Sequence, residues 1–312
     1  MKQSRAGGYF AMSDLVAIFL AAAFIAGDLL PFAGSCRLDD RVIPEASGIV
    51  KSRRHPGIFW VHNDSGNPPL LFAIKDDGRI VRQFRLGIPN IDWEDIATDD
   101  RGHLYVGDIG NNLGILPLRT IYRLDEPDPN AFAEKVIAAS ISAVYTMPKG
   151  RRFDAESLFL DRGKAMILAK YLDGREAELF SIALDPPSSL LRPTQPRLVG
   201  KMSGFTEPAT GADLNKDGTL LAVCATAVTR VYRRDDRESP PWRLLAVVRY
   251  RPLSVEGVAW DGLDLRLVAE GGGFYRVAEK TWRASPGKES LIVPARPPRR
   301  PEALPSKERD GK

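Results

Sequence analysis

Two cysteines and three histidines in 312 residues remove several kinds of chemistry at the outset. Cys36 and Cys224 cannot make a disulfide framework, and no C-x-x-C or Cys/His spacing suits zinc. His55, His62 and His103 are the whole supply of imidazole, and only His62 stands beside other polar candidates. A G-x-S-x-G elbow, a P-loop and a strand-borne G-x-G-x-x-G are all missing, which removes the usual signatures of serine hydrolases, nucleotidases and dinucleotide enzymes. The net charge is only +4, and acids and bases alternate (RRDDRE, Arg233–Glu238), so there is no one-sided basic face for nucleic acid. Long apolar runs are also scarce. Leu15–Ala26 is the exception, and it is too short to span a bilayer.

That run lies behind Lys2 and Arg5, the layout of an export signal. AGSC (Ala33–Cys36) follows and resembles the lipobox of bacterial lipoproteins, with Ala33 where a large aliphatic residue is usual. Residues 1–35 are therefore expected to be a leader. Lipidation of Cys36, plain cleavage and an uncleaved anchor stand as alternatives. The expected location is extracytoplasmic, with membrane contact only through that leader or lipid. Residues 294–312, rich in Pro and charge, are expected to be a disordered tail.

What the chain does have is repetition. EASGIV, DWEDIA, DAESLFL, TGADL and VEGVAW each open an apolar strand beside a small polar residue or a carboxylate. Aligned on Ser47, Glu94, Glu156, Asp213 and Glu256, they recur about every 52 residues. Each is followed by further short strands, such as GIFWVHN, HLYVGD and AMILAK, separated by Asp-Gly turns that tolerate positive φ. The expected fold is all-β: a β-propeller of four-stranded antiparallel blades over residues 37–293. Five blades are expected, or six if Asp125–Pro148 hides one. A β-sandwich would not explain a shared strand order and a shared acidic start. The ring must close either with SLIVP (Ser290–Pro294) as the last outer strand or with Arg37–Ile43.

In a propeller the innermost strands surround one axis, so Glu94, Glu156, Asp213 and Glu256 should converge. Crowded carboxylates need a cation, arginines or water to offset their repulsion. Ca²⁺, which takes carboxylate and carbonyl oxygens, is the expected cofactor if a metal is present; a hydrated polar mouth is the alternative. Metal-ligand candidates are Glu94, Asp108, Asp154, Glu156, Glu256 and Glu270. Asn63, Asp64, Asn111, Asn112 and Lys170 follow second strands and are candidates for substrate contact. Arg119, Arg151 and Arg152 lie near strand ends and either balance the acids or meet an anion.

Taken together, HNDSGNPPLLFAI, DWEDIA, LYVGDIGNN, IYR, DAESL and VEGVAW resemble a family of uncharacterised extracytoplasmic bacterial β-propellers, over residues 43–280. DAES (Asp154–Ser157) and VEG…VAE (Val255–Glu270) are more distantly similar to β-propeller phytases. That second resemblance implies six blades, calcium-dependent phosphomonoester hydrolysis, and Asp154, Glu156, Glu256 and Glu270 as calcium ligands. This chain departs from it at Gly271–Gly272, where an acidic pair is expected. Two functions are carried forward. One is a monomeric envelope binding or scaffold module, whose partner is a small molecule or an envelope component. The other is a metal-dependent hydrolase of a phosphate ester or lactone.

Overall fold

The computed structural model describes residues 29–31, 36–131, 136–147, 153–250, 254–284 and 289–293. The apolar run Leu15–Ala26, Arg151, Arg152 and the Pro-rich tail lie outside them. Among the described residues no helix is long and apolar enough to cross a membrane.

The repeats form five antiparallel four-stranded blades around one axis. From the inside outward, blade one is Ala46–Lys51, Ile58–Asn63, Leu70–Lys75 and Ile80–Leu86; blade two is Trp93–Thr98, His103–Asp108, Arg119–Asp125 and Ser140–Tyr145. Blade three is Leu158–Asp161, Lys164–Leu168, Glu178–Ala183 and Arg197–Lys201; blade four is Gly211–Leu214, Leu220–Ala225, Val228–Arg234 and Trp242–Tyr250. Blade five supplies Val255–Asp261, Asp264–Ala269 and Gly273–Val277, and Cys36–Arg37 adds the fourth strand, pairing antiparallel with Gly273 and Phe274.

The ring is thus closed from the start of the repeats, by a strand shorter and earlier than Arg37–Ile43. The segment expected as the last outer strand goes elsewhere. Glu289–Val293 runs parallel to Trp242–Tyr250 on blade four, and Leu29–Pro31 pairs with it in turn. Among the described residues of Asp125–Pro148 no sixth blade is hidden. Val136–Ile137 extends blade one, and Ser140–Tyr145 is the outer strand of blade two. Five blades also depart from the six implied by the phytase resemblance.

Strand alternation explains the core. Successive side chains point to opposite faces of a blade, so Phe59 packs on Phe274 in the gap to blade five, while Trp60 packs on Phe84 in the gap to blade two. The other three gaps each hold an apolar cluster with its own aromatic pair: Phe153–Phe180, Phe159–Trp242 and Trp260–Trp282. Offset and edge-on ring pairs of this kind add about 0.5–1.5 kcal/mol each beyond their buried area.

At the centre the inner strands touch. A Cβ on Gly211 would lie 2.9 Å from the carbonyl oxygen of Glu256, and one on Gly48 would lie 2.8 Å from the Asp95 backbone. A side chain at Gly257 would run into the Ser47 carbonyl. These three glycines let adjacent inner strands approach to backbone contact. Inner strands of blades two and four also meet across the axis. The means is Asp95, fully buried, whose Oδ2 accepts the N–H of Leu158 in blade three (2.8 Å) and of Ala212 in blade four (3.1 Å). Its Oδ1 accepts its neighbour's N–H, from Ile96 (2.8 Å). The axis is therefore plugged at mid-depth, and each face of the ring has its own mouth.

Replacing Asp95 with Ala removes the acceptor of three buried N–H donors on three blades. The expected cost is on the order of 2–5 kcal/mol, read as a lower urea midpoint; an unchanged midpoint would show that the axis is held by packing alone.

Candidate metal centre

Strand direction alternates within a blade. The starts of the inner strands and the loops joining second to third strands therefore share one face, and the carboxylates gather there. Blades two and five begin with matching irregularities: the pairing slips between Trp93 and Asp95, and between Val255 and Gly257. The unpaired residue is Glu94 in one case and Glu256 in the other. A bulge of this kind re-aims the extra residue's side chain, here toward the mouth while its neighbours keep their places. Blade one slips at Ser47–Gly48, and the Ser47 hydroxyl donates to the Glu94 carbonyl (2.6 Å).

Two acid triads result, and they share Glu94. In one, oxygens of Asp64, Asp92 and Glu94 all lie within 4.8 Å of each other; in the other, the same holds for Glu94, Asp154 and Glu156. Glu94 is only 4% exposed, and its Oε1 is sealed from solvent with no hydrogen-bond partner. Gly110 lies against this oxygen and the Asp92 carboxylate, so close that a Cβ would collide with both. Its loop is wrapped around Asp92, whose carbonyl accepts the N–H of Ile109 (3.1 Å) and of Gly110 (3.2 Å).

The second triad carries its own cation. Lys170 is bridged to Asp154 through the backbone, its ammonium donates to Glu156 Oε1, and it stands 3.9 Å from Asp154 Oδ2. Asp154 Oδ1 also accepts the Asn111 N–H (2.6 Å). The first triad has no such partner in hydrogen-bond contact among the described residues.

Burial and mutual repulsion show in the acidities. Glu94 is pushed well above the usual carboxylate range, first by burial, then by Glu156, Asp64, Asp154 and Asp92. Glu156 is raised to about 7 by burial, with Lys170 pulling the other way. Glu256 is raised to about 8 by burial, Glu156 and Glu270, so it feels the cluster without joining either triad. Asp64 and Asp92 are raised as well, chiefly by burial.

The other candidates take these positions. Asp108 accepts the Asp92 N–H (2.7 Å) and so holds a ligand's backbone. Asn63 accepts the Glu45 N–H (3.3 Å) and donates to the Val42 carbonyl (3.2 Å), which fastens the loop before blade one. The Asn111 side chain closes its own loop, its oxygen accepting the Leu116 N–H (2.9 Å). Asn112 and Glu270 are exposed at the rim. Arg119 is buried and donates to the Phe153 carbonyl (2.8 Å), tying blade two to blade three. Asp213 leaves the group: its Oδ2 accepts the Trp260 N–H (2.8 Å), and it lines the opposite mouth.

Asp92 is the acid that alignment on Ser47, Glu94, Glu156, Asp213 and Glu256 does not single out. Its signal is nonetheless in DWED, because residues two apart on a strand share a face and Asp92 stands two before Glu94. Gly110 has a weaker signal, as one of the several glycines around GDIGNN.

No family model matches the chain, and no curated protein sequence is similar to it. Solved structures that resemble it include the glutaminyl cyclase of Myxococcus xanthus, at 15% identity and a TM-score of 0.46, over 80% of this chain and 98% of that one. A chain of a nidogen–laminin complex matches at 12% identity and a TM-score of 0.40, over 72% of each chain. A chain of a mitotic checkpoint complex matches at 12% identity and a TM-score of 0.38, over 86% of this chain and 67% of that one. Likenesses of this degree carry no statement about activity.

The raised acids set a pH dependence. A carboxyl whose folded pKa is raised contributes stability below its unfolded value, near 4, and that contribution is lost as pH rises through the folded value. Asp213, raised to about 7 by burial, therefore penalises the fold at neutral and higher pH. His62 acts in the opposite sense: burial lowers it to about 4, so its contribution is lost as pH falls from about 6.5 toward 4. Asp213→Asn is expected to lose less stability than the parent between about pH 5 and pH 8, measured by urea unfolding at both. Parallel losses in the two proteins would show that Asp213 does not titrate in this range.

Proposed function

We propose that the acidic face holds a divalent cation, Ca²⁺ by its oxygen ligands, and that the protein is a cation-dependent binding module. The observation that carries this reading is Glu94: it belongs to both triads, and its Oε1 is buried without a hydrogen-bond partner. A lone carboxylate oxygen in such a place costs several kcal/mol unless it is protonated or meets a cation. Asp64, Asp92 and Glu94 would be the protein ligands, since Lys170 already balances Asp154 and Glu156. Three carboxylates fit part of the six to eight oxygens that Ca²⁺ takes at about 2.3–2.6 Å. The remaining positions face the mouth and are open to water or to the oxygens of a ligand. A small polar molecule or an exposed group of an envelope component would suit them.

A hydrolytic reading is favoured by one further observation. Glu156 and Glu256, with pKa values about 7 and about 8, can accept or hold a proton at neutral pH beside the cation site. A bound cation would acidify a water there and polarise an ester oxygen; Glu156 or Glu256 would take the proton. Phosphate esters and lactones are the substrate classes to try.

Export and lipidation of Cys36 would complete this reading. Cys36 begins the outer strand of blade five, where it pairs with Phe274 and its thiol lies beside the Asp76 carbonyl.

Cation binding must displace protons held by Glu94 and its neighbours. Calorimetric titration with Ca²⁺ near neutral pH is expected to release protons and to raise the melting temperature, and chelator should reverse both. Asp92→Asn and Glu94→Gln should each weaken binding about ten-fold or more, while Gly110→Ala should do so by pressing on both ligands. Turnover of a phosphate ester or lactone that chelator stops would select the hydrolytic reading. Tight Ca²⁺ binding without turnover would select the binding module. Ca²⁺ without effect on heat, protons or melting would end the metal reading altogether.

A further inference from the structure

The face opposite the acids carries a second mouth, lined by both basic and acidic side chains. First-to-second strand turns of blades one to four surround a cavity of about 880 Å³, with a smaller lobe of about 240 Å³ beside it. Arg53, Asp213 and Lys216 line both, so the two spaces meet there. Blade five is shut off from the larger space: Lys51 pairs with Asp261, which also accepts from Arg266 Nε (3.2 Å). The Asp95 plug separates this mouth from the acidic one.

Six basic side chains line the larger space: Arg53, Arg101, Arg123, Arg162, Lys216 and Arg234. The acids among them are mostly committed. Asp161 is paired to Arg234 (2.7 Å). Asp99 accepts from His103 and from the Arg101 N–H. Asp217 accepts the Thr219 N–H and hydroxyl. Asp213 accepts from Trp260 and is held partly protonated near neutral pH by burial. Asp100 and Asp185 remain, and among the described residues no hydrogen bond or ion pair ties either to the basic groups. On the basic side, Arg53, Arg101 and Lys216 make no ion pair among the described residues, and Arg53 Nε is sealed from solvent without a hydrogen-bond partner. Arg162 is held only by Asp236, at exposed positions where water competes. The mouth therefore sets Arg53, Arg101 and Lys216, none of them in an ion pair among the described residues, along a space of small-molecule size, with Asp100 and Asp185 the nearest uncommitted counter-charges in the lining.

We propose that this second mouth binds a small polyanion, whose clustered phosphate or carboxylate oxygens lie between Arg53 and Lys216. Arg53 offers a planar fork suited to two oxygens at once, and Lys216 a mobile point charge from the facing blade. Arg101 and Arg162 at the rim steer the anion inward. Nothing in this site uses the acidic face, so binding here is independent of divalent cations.

The test is calorimetric titration of the full chain, in chelator, with inorganic pyrophosphate and with citrate. At least one is expected to bind, with an affinity that falls as salt rises. Arg53→Gln and Lys216→Gln together should weaken it about ten-fold or more, and Glu94→Gln should leave it unchanged. Lys216 is exposed and its single substitution should preserve the fold, so it stands in should the double variant unfold; alone it should weaken binding about three-fold or more. Binding of pyrophosphate alone would assign a phosphorylated ligand, and binding of citrate alone a polycarboxylate. The proposal is overturned if neither anion binds, or if binding survives these substitutions at full strength.

Discussion

The carboxylate of Asp95 ties three of the five blades together at the axis. It is fully buried, and its two oxygens take N–H groups from blades two, three and four. Burial pushes its proton affinity up, and the three donors push it down. A side chain in that position needs the inner strands to be almost in contact, which Gly48, Gly211 and Gly257 allow. The two mouths then follow. With the axis plugged, neither can be a passage, and each becomes a separate depression with its own charge.

The acidic mouth depends on this floor. Glu94 immediately precedes Asp95, so the strand that drives one carboxylate into the axis holds the other at the rim. Ordinary alternation would turn Glu94 into the gap between blades, and the bulge turns it to the mouth instead. Repulsion among the clustered acids is then met in two ways. Lys170 supplies a fixed cation for Asp154 and Glu156. Asp64, Asp92 and Glu94 have no cation in contact among the described residues, and despite help from Ser65 to Asp64 and Asp92 all three have raised proton affinity. The difference between the two triads is a difference in what their residues can exchange with solvent, and it makes one half of the site fixed and the other half responsive.

Much of the architecture is legible in the residues because it is local. Alternating apolar strands and Asp-Gly turns fix each four-stranded unit, and the step of about fifty residues fixes their number. Ring closure is less legible because it is not local: Cys36–Arg37 has no apolar pattern of its own, and Glu289–Val293 reads equally well as an outer strand of blade five. The site divides in the same way. Glu94, Asp154 and Glu156 are visible as acids at repeated starts. Asp213 occupies a similar place one residue later, and on a strand a shift of one residue turns a side chain to the other side. It therefore meets Trp260 and the basic mouth. Asn63, Asp108 and Asn111 sit in suggestive sequences, but their polar atoms are taken by backbone groups that only the folded chain brings near.

Closing blade five with Cys36–Arg37 has a consequence for the order of assembly. Chain made early must wait for a partner, Gly273–Phe274, that is made late, whereas the four strands of every other blade come from one continuous stretch of chain. Contacts of such separation are slow to form because the intervening chain must first be brought to heel. Until then, blade five has three strands and an open edge, and the gap between blades five and one lacks part of its lining, Leu38 and Cys36. The strand that closes the ring is thus made before every other strand of the five blades and docks only after the strand it pairs with is made, so the seam between blades five and one is the part of the ring that stays open longest.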